Sequence, residues 1–292
     1  MAITAAQVKE LRELTGAGMM DCKKALTECE GDTKKAIDWL REKGIAKAAK
    51  KEGRIAAEGL AKILIEGNKA VVLEVNSETD FVAKNDRFLA LLDEAAKTIF
   101  NSNAKTVEEA LALPTAEGTL NDSFIGAVAI IGEKITLRRF EIVEKSDDEL
   151  FGSYTHQGGR IVAVTVVKGT TDAQVAKNMA MQVASMNPTY VSRNEMPQDV
   201  IAHEREVQEG IMANDPNKPE KVKAGIIEGR VSKSLQDMCL VDQEYFLDSS
   251  LKCGQYLKEN NAEVVKFVKY IVGEGIEKKQ DDFAAEVAAM AK

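Results

Sequence analysis

Apolar positions along the chain change period several times. Over residues 4–54 they recur at helical spacing: Thr4 and Gln7 form a capping box, and Val8, Leu11 and Leu14 follow. Gly16 and Gly18 stop that helix, residues 20–28 suit a second, and Gly31-Asp32 precede a third with Ala36, Ile37 and Leu40 on one side. From Gly59 the pattern turns to β-formers. Residues 60–65 and 70–75 flank Gly67-Asn68, a tight hairpin turn. A helix with Phe88, Leu89, Leu92, Ala96 and Ile99 comes next, then a short segment capped by Thr106 and Glu109. Residues 124–131 form an apolar helix stopped by Gly132, and residues 134–143 read as a strand.

A related plan recurs. Residues 151–157 and 160–168 flank Gly158-Gly159, and Thr171-Asp172 caps a helix containing Val175-Ala176-Lys177-Asn178. That tetrapeptide matches Val82-Ala83-Lys84-Asn85, which points to a duplicated hairpin-plus-helix core. Residues 200–212 and 219–235 read as two antiparallel helices joined by Asn214-Asp215-Pro216-Asn217-Lys218, an arm standing off the core. Residues 264–272 return to β-character, and Phe283, Val287 and Met290 have helical spacing. The fold class is α+β. Expected divisions are 1–54 (helical module and basic linker), 55–145 and 146–264 (the two core halves, with the arm at about 198–235) and 265–292 (a C-terminal helical module).

Composition narrows the class. At 292 residues with 45% hydrophobic and 29% charged content the chain suits a multi-unit globular protein. Apolar runs are strand-sized, too short to span a bilayer, and the first residues lack a signal-peptide pattern, so a cytoplasmic location with no membrane partner is expected. Cys22, Cys29, Cys239 and Cys253 show no CxxC spacing, so neither a metal site nor a disulfide framework is expected. The net charge of −8 argues against a general nucleic-acid binder. Residues 1–54 nevertheless hold 12 Lys and Arg against 9 Asp and Glu. The cluster Lys43, Lys47, Lys50, Lys51 and Arg54 is either a solvated linker face or a contact for an acidic surface or RNA. No phosphate-binding glycine loop, nucleophile elbow or other catalytic constellation is legible, and no cofactor is implied.

The stretch Glu74-Val75-Asn76-Ser77-Glu78-Thr79-Asp80-Phe81-Val82-Ala83-Lys84 carries the most information. Thr79 and Asp80 are N-cap candidates, so the corner is expected to open a helix. Phe81 beside the cap either folds under the helix or projects as an anchor for a partner. The run resembles the signature of the elongation factor Ts family. Leu11-Arg12-Glu13-Leu14-Thr15-Gly16-Ala17-Gly18-Met19-Met20-Asp21-Cys22-Lys23-Lys24-Ala25-Leu26 resembles that family's N-terminal signature. The likeness extends through residues 131–135, 156–160, 272–278 and the tail at 283–287. Residues 4–54 themselves resemble a ubiquitin-associated-type domain, with Trp39 as core or edge packing.

The resemblance implies a guanine nucleotide exchange factor for the GTPase elongation factor Tu, acting in a heterodimer or larger heterocomplex and performing no bond chemistry. Thr79, Asp80, Phe81 and Val82 would disturb the Mg²⁺ and phosphate site of the partner. Arg12, Met19 and Met20 would contact its GTPase domain, Ile125 and Gly126 would belong to the core contact surface, and His156 would grip another domain. Each has a plainer reading: burial in the small bundle for Met19 and Met20, helix packing for Ile125 and Gly126, an ordinary turn residue for His156. The other functional readings are an adaptor built on the N-terminal module, an RNA-binding translation factor, and an enzyme.

Overall fold

The computed structural model describes residues 3–116, 118–213 and 220–277. The segment 214–218 and the terminal helix expected around Phe283 and Met290 lie outside the described residues. The chain forms two compact units, one made of residues up to Val143 with the segment from Tyr270, the other of Glu144 to Lys269.

The first unit begins with three helices, α1 (Ala5–Thr15), α2 (Met19–Glu28) and α3 (Thr33–Ala49). The Thr4–Gln7 capping box is formed, and Gly16 ends α1 in the left-handed region with its N–H donating to the Arg12 carbonyl. Val8, Leu11, Cys22, Ala25, Leu26 and Ala36 make a small core against which Trp39 and Leu40 pack. Leu14, expected on the inner face, is 59% exposed because α1 turns only Val8 and Leu11 inward. Lys43 lies over the Trp39 ring, 5.3 Å from its centroid.

Strands β1 (Glu58–Glu66) and β2 (Lys69–Ser77) form the hairpin, with Gly67 at positive φ in its turn. Helix α4 (Asp86–Phe100), short helix α5 (Val107–Leu111), the two-residue strands β3 (Pro114–Thr115) and β4 (Gly118–Thr119), α6 (Leu120–Ile131) and β5 (Ile135–Glu144) follow. The sheet order is β1-β2-β5. The central strand β2 is buried at every position from Ala70 to Ser77, the polar Glu74, Asn76 and Ser77 along with its apolar residues. Phe88, Leu92 and Ile99 of α4, Phe124 and Val128 of α6, and Leu73 and Val75 of β2 share one core.

Glu74 sits in the middle of that buried strand and is fully buried. Its Oε1 accepts from the Gly273 amide (2.8 Å), Asn76 (3.0 Å) and Arg138 (3.0 Å), and its Oε2 from Arg139 Nε (2.6 Å). Arg139 also donates to the Ile271 carbonyl (3.1 Å) and lies over the Tyr270 ring at 4.2 Å. One carboxylate thereby fastens the segment 270–275 to β2 and β5. Gly273 adopts φ +75°, and a Cβ there would meet the Ala57 carbonyl oxygen at 2.1 Å, so only glycine fits this clasp. Burial pushes the Glu74 pKa up, but the bonds from Gly273, Asn76 and Arg138 and the Arg139 charge outweigh it, holding the carboxyl below the ordinary 4.5.

The second unit repeats the plan. Strands β6 (Glu149–His156) and β7 (Ile161–Lys168) form a hairpin around a 3-10 turn at Gln157–Gly159, and α7 (Ala173–Met186) follows. Then come α8 (Gln198–Ala213), α9 (Glu220–Met238), β8 (Glu244–Tyr245), β9 (Asp248–Lys252), α10 (Cys253–Glu259) and β10 (Glu263–Ile271). The sheet order is β10-β7-β6, so in both units the second hairpin strand is central and a later strand joins its free edge. Gly152 of β6 lets the α7 backbone approach: a Cβ there would lie 1.9 Å from the Ala176 carbonyl oxygen, which accepts from Thr165 Oγ1 at 2.9 Å. Helices α8 and α9 pair Arg205 with Glu228, and Val200 and Ile201 with the Val231 and Leu235 cluster, which makes them antiparallel.

The duplication holds in topology but not in the residue alignment that suggested it. Val175 to Asn178 lie inside α7, where Asn178 is buried and donates to the Tyr256 hydroxyl at 2.9 Å. Asn85, its supposed counterpart, is the N-cap of α4. The true structural match is cap to cap, Asn85 with Asp172. Beyond the two helices expected at 200–212 and 219–235, this part of the chain holds the β8–β9 hairpin, tied to α7 by Gln182, which donates to the Glu244 carbonyl and accepts from the Phe246 amide.

Replacing Glu74 with Ala leaves two guanidinium groups without their buried partner. The expected loss is about 3 kcal/mol in urea unfolding of the first unit, with early amide exchange at Gly273. Because the folded pKa is depressed, the wild-type contribution is full above the ordinary 4.5 and fades as pH falls below it. An acid-unfolding midpoint unchanged in the variant would contradict this.

Candidate functional site: a fixed aromatic corner

After β2 the chain turns sharply at residues 77–81. The expected N-cap at Thr79 or Asp80 does not form. Both precede a 3-10 turn at Val82–Lys84, and α4 begins only at Asp86, capped by Asn85, whose Oδ1 accepts from the Arg87 amide at 2.9 Å. Thr79 is claimed instead by Glu133, in the turn between α6 and β5. The Thr79 amide donates to Glu133 Oε2 (2.9 Å) and its hydroxyl to Oε1 (2.7 Å). The exchange is reciprocal, since the Lys134 amide donates to Glu78 Oε1 at 2.6 Å. Ser77 Oγ closes the corner by donating to the Thr79 carbonyl at 2.9 Å.

On this tethered corner Val82 turns inward and is buried in the core, whereas Phe81 is 78% exposed and Asp80 is exposed beside it. The local-core reading of Phe81 is therefore corrected: Val82 fills that role. The corresponding place in the second unit differs, because Asp172 caps a helix, accepting from Gln174 N, and Asp80 does not. An exposed ring next to a carboxylate on a hydrogen-bonded corner forfeits apolar burial in the isolated chain, which a protein keeps where another surface is to cover it.

The basic cluster is partly structural rather than a freely solvated face. Arg54 pairs with Glu78 at 3.2 Å, Lys47 with Asp21 at 3.0 Å, and Lys51 donates to the Gly132 carbonyl. Lys134 Nζ donates to the carbonyls of Glu52 (2.5 Å) and Arg54 (3.0 Å), so the linker after α3 is bound to the same corner.

The other candidates are distributed. Met19 and Met20, at the start of α2, are 55% and 75% exposed, which corrects the reading that the small bundle buries them. Arg12 is exposed on α1 and, with Lys9 and Arg87, lines a cleft of about 780 Å³ that reaches the first turn of α4. Ile125 is half-buried and faces Gly44 of α3, where an added Cβ would lie 3.6 Å from the Ile125 Cγ2, while Gly126 opens to free space. Helix packing thus accounts for Ile125 and leaves Gly126 open. Arg41 of α3 pairs with Asp122 of α6 at 2.6 Å and docks these helices. His156 belongs to the second unit, exposed at the end of β6, with Tyr154 Oη 3.1 Å from its Nδ1. Glu133, Glu78 and Lys134 were not expected as site residues. The signal for them was that each falls in a stretch sharing the family likeness, Glu78 in residues 74–84 and Glu133 and Lys134 in residues 131–135.

Among the described residues no group of three or more His, Cys, Asp or Glu is placed to hold a metal ion, and no helix is long and apolar enough to cross a membrane. The corner presents one exposed aromatic ring and one exposed carboxylate beside a hydrogen-bonded rim. The family model for elongation factor Ts matches residues 78–274, from the tethered corner to the clasp, well over half of the 292 residues. The chain belongs to the elongation factor Ts family. That family consists of nucleotide exchange factors for elongation factor Tu in translation elongation.

The Arg41 guanidinium, with the Thr119 amide, holds the Asp122 carboxyl down at about 2. Its stabilising contribution is complete above the ordinary 3.8 and is lost as pH falls through about 2. In Arg41→Ala the Asp122 midpoint, followed by carboxyl ¹³C NMR, should move up toward 3.8. A midpoint that stays where it was would remove Arg41 as the cause.

Proposed function

We propose that this chain releases GDP from elongation factor Tu by inserting Phe81 between helices of the GTPase while Asp80 disturbs the water and side-chain network beside the partner's Mg²⁺. The observation that carries the reading is the 78% exposure of Phe81 on a corner tied down at Thr79. An apolar ring loses little hydration on entering a protein crevice, and it brings the burial energy that anchors interfaces. The ion and nucleotide belong to the partner.

Exchange by this route is linkage. The factor binds the empty or distorted GTPase better than the loaded form, and bound nucleotide weakens the factor's hold by the same factor. Each tenfold gain in release requires about 1.4 kcal/mol of differential affinity. Several decades therefore need about 4–6 kcal/mol, within reach of a few anchors. In this reading Arg12, Met19, Met20, Gly126 and the rim of Ile125 supply further contact with the GTPase, and His156 engages a different part of the partner. The complex is a heterodimer or larger heterocomplex in the cytoplasm, with no direct nucleic-acid contact.

Labelled GDP bound to elongation factor Tu should leave faster when the wild-type chain is added, and unaccelerated release would end the reading. Phe81→Ala should cut the acceleration about thirtyfold or more, the effect of losing an anchor of about 2 kcal/mol. Its unfolding free energy should change by less than about 0.5 kcal/mol, as expected for an exposed site. A variant that unfolds readily would return Phe81 to a structural role.

A further inference from the structure

Both oxygens of Glu133 are spent on Thr79, two residues before Phe81. Glu133 is half-buried, and Gly132, in the left-handed region at the end of α6, sets it beside the corner. The same turn takes Glu78 through the Lys134 amide, so the residue before Thr79 is fixed as well. On the other side Val82 is buried and the 3-10 turn closes with the Lys84 amide donating to the Phe81 carbonyl at 3.2 Å. Asp80 and Phe81 are left as a two-residue span between two anchored ends.

We propose that Glu133 is a positioning residue for exchange: it presets the Thr79-Asp80-Phe81 backbone so that the ring is presented in its docking pose before the partner arrives. The proposal rests on the wedge reading above. A corner free to sample other conformers would have to be ordered on docking, and that entropy would be subtracted from the affinity for the nucleotide-free partner. Glu133 suits this task because a carboxylate accepts the amide and the hydroxyl at once, one on each oxygen. A glutamine offers one acceptor oxygen and turns an N–H₂ toward the second donor.

The test measures labelled GDP release from elongation factor Tu as a function of factor concentration, for wild type, Glu133→Ala, Glu133→Gln, Phe81→Ala and the double variant Glu133→Ala/Phe81→Ala. Amide exchange at Thr79 and thermal unfolding are measured on each. Glu133→Ala should speed amide exchange at Thr79 and raise the half-maximal factor concentration on the order of tenfold. Glu133→Gln should fall between it and wild type. In the double variant Glu133→Ala should cost far less than it costs alone, because most of the carboxylate's effect passes through the ring and only the remainder through Asp80. A purely structural Glu133 would give additive losses that follow the fall in unfolding temperature, and that result overturns the proposal. Wild-type exchange kinetics in Glu133→Ala overturn it too while leaving the wedge reading intact. A wild-type chain that fails to accelerate release removes both.

Discussion

The pairing of Glu133 with the amide and hydroxyl of Thr79 holds the corner that carries Asp80 and Phe81. Without it Thr79 to Phe81 would be a surface turn held only at its ends, and surface turns are more mobile than the elements they join. With it, and with Val82 drawn into the core, one ring and one carboxylate are held outward in a defined direction. A large apolar side chain in water is unfavourable for the isolated chain. The surrounding hydrogen bonds hold the backbone on either side of the ring, which stays 78% exposed, and in the proposed reading that exposure serves the partner.

Two further links support that corner inside the first unit. Arg54 and Lys134 tie the linker after α3 to Glu78 and to neighbouring carbonyls, while Arg41 and Asp122 dock α3 on α6. The buried Glu74 then fastens the returning segment at Gly273 to the middle of β2, one short stretch of chain from the corner. Charge is used here as a fastener of backbone. These residues bind amides, carbonyls and guanidinium groups rather than a ligand, so substituting them changes shape and stability before it changes any chemistry. The exposed side chains Phe81, Asp80, Met19 and Met20 have the opposite character, since few contacts within the chain depend on them.

Much of the fold was legible where one buried face enforces a period. The Thr4–Gln7 capping box, the two hairpins, the β-character of β2 and the pair α8 and α9 all follow from local pattern. What local pattern missed was decided at long range. Thr79 looks like a helix cap, but its hydroxyl is taken by a residue 54 positions later, so the cap moves to Asn85. Glu74 reads as one polar residue in a strand, and its buried role depends on an amide 199 residues away. The β8–β9 hairpin was hidden because Asp248–Lys252 is polar and largely exposed, with no alternation to betray a strand. Met19 and Met20 were ambiguous because a three-helix bundle this small has too few inner positions to hold them, and Leu11, Cys22 and Leu26 fill that core.

An exchange factor of the elongation factor Ts family acts through a difference in binding between two states of its partner, so the decisive fact is where the ring goes when the partner is empty. The structure of this chain bound to nucleotide-free elongation factor Tu answers that directly. Phe81 should be found enclosed by side chains of the GTPase domain, with Thr79 still held by Glu133. A complex in which the ring stays in solvent, or lies against its own chain while GDP release is nonetheless accelerated, would contradict the account.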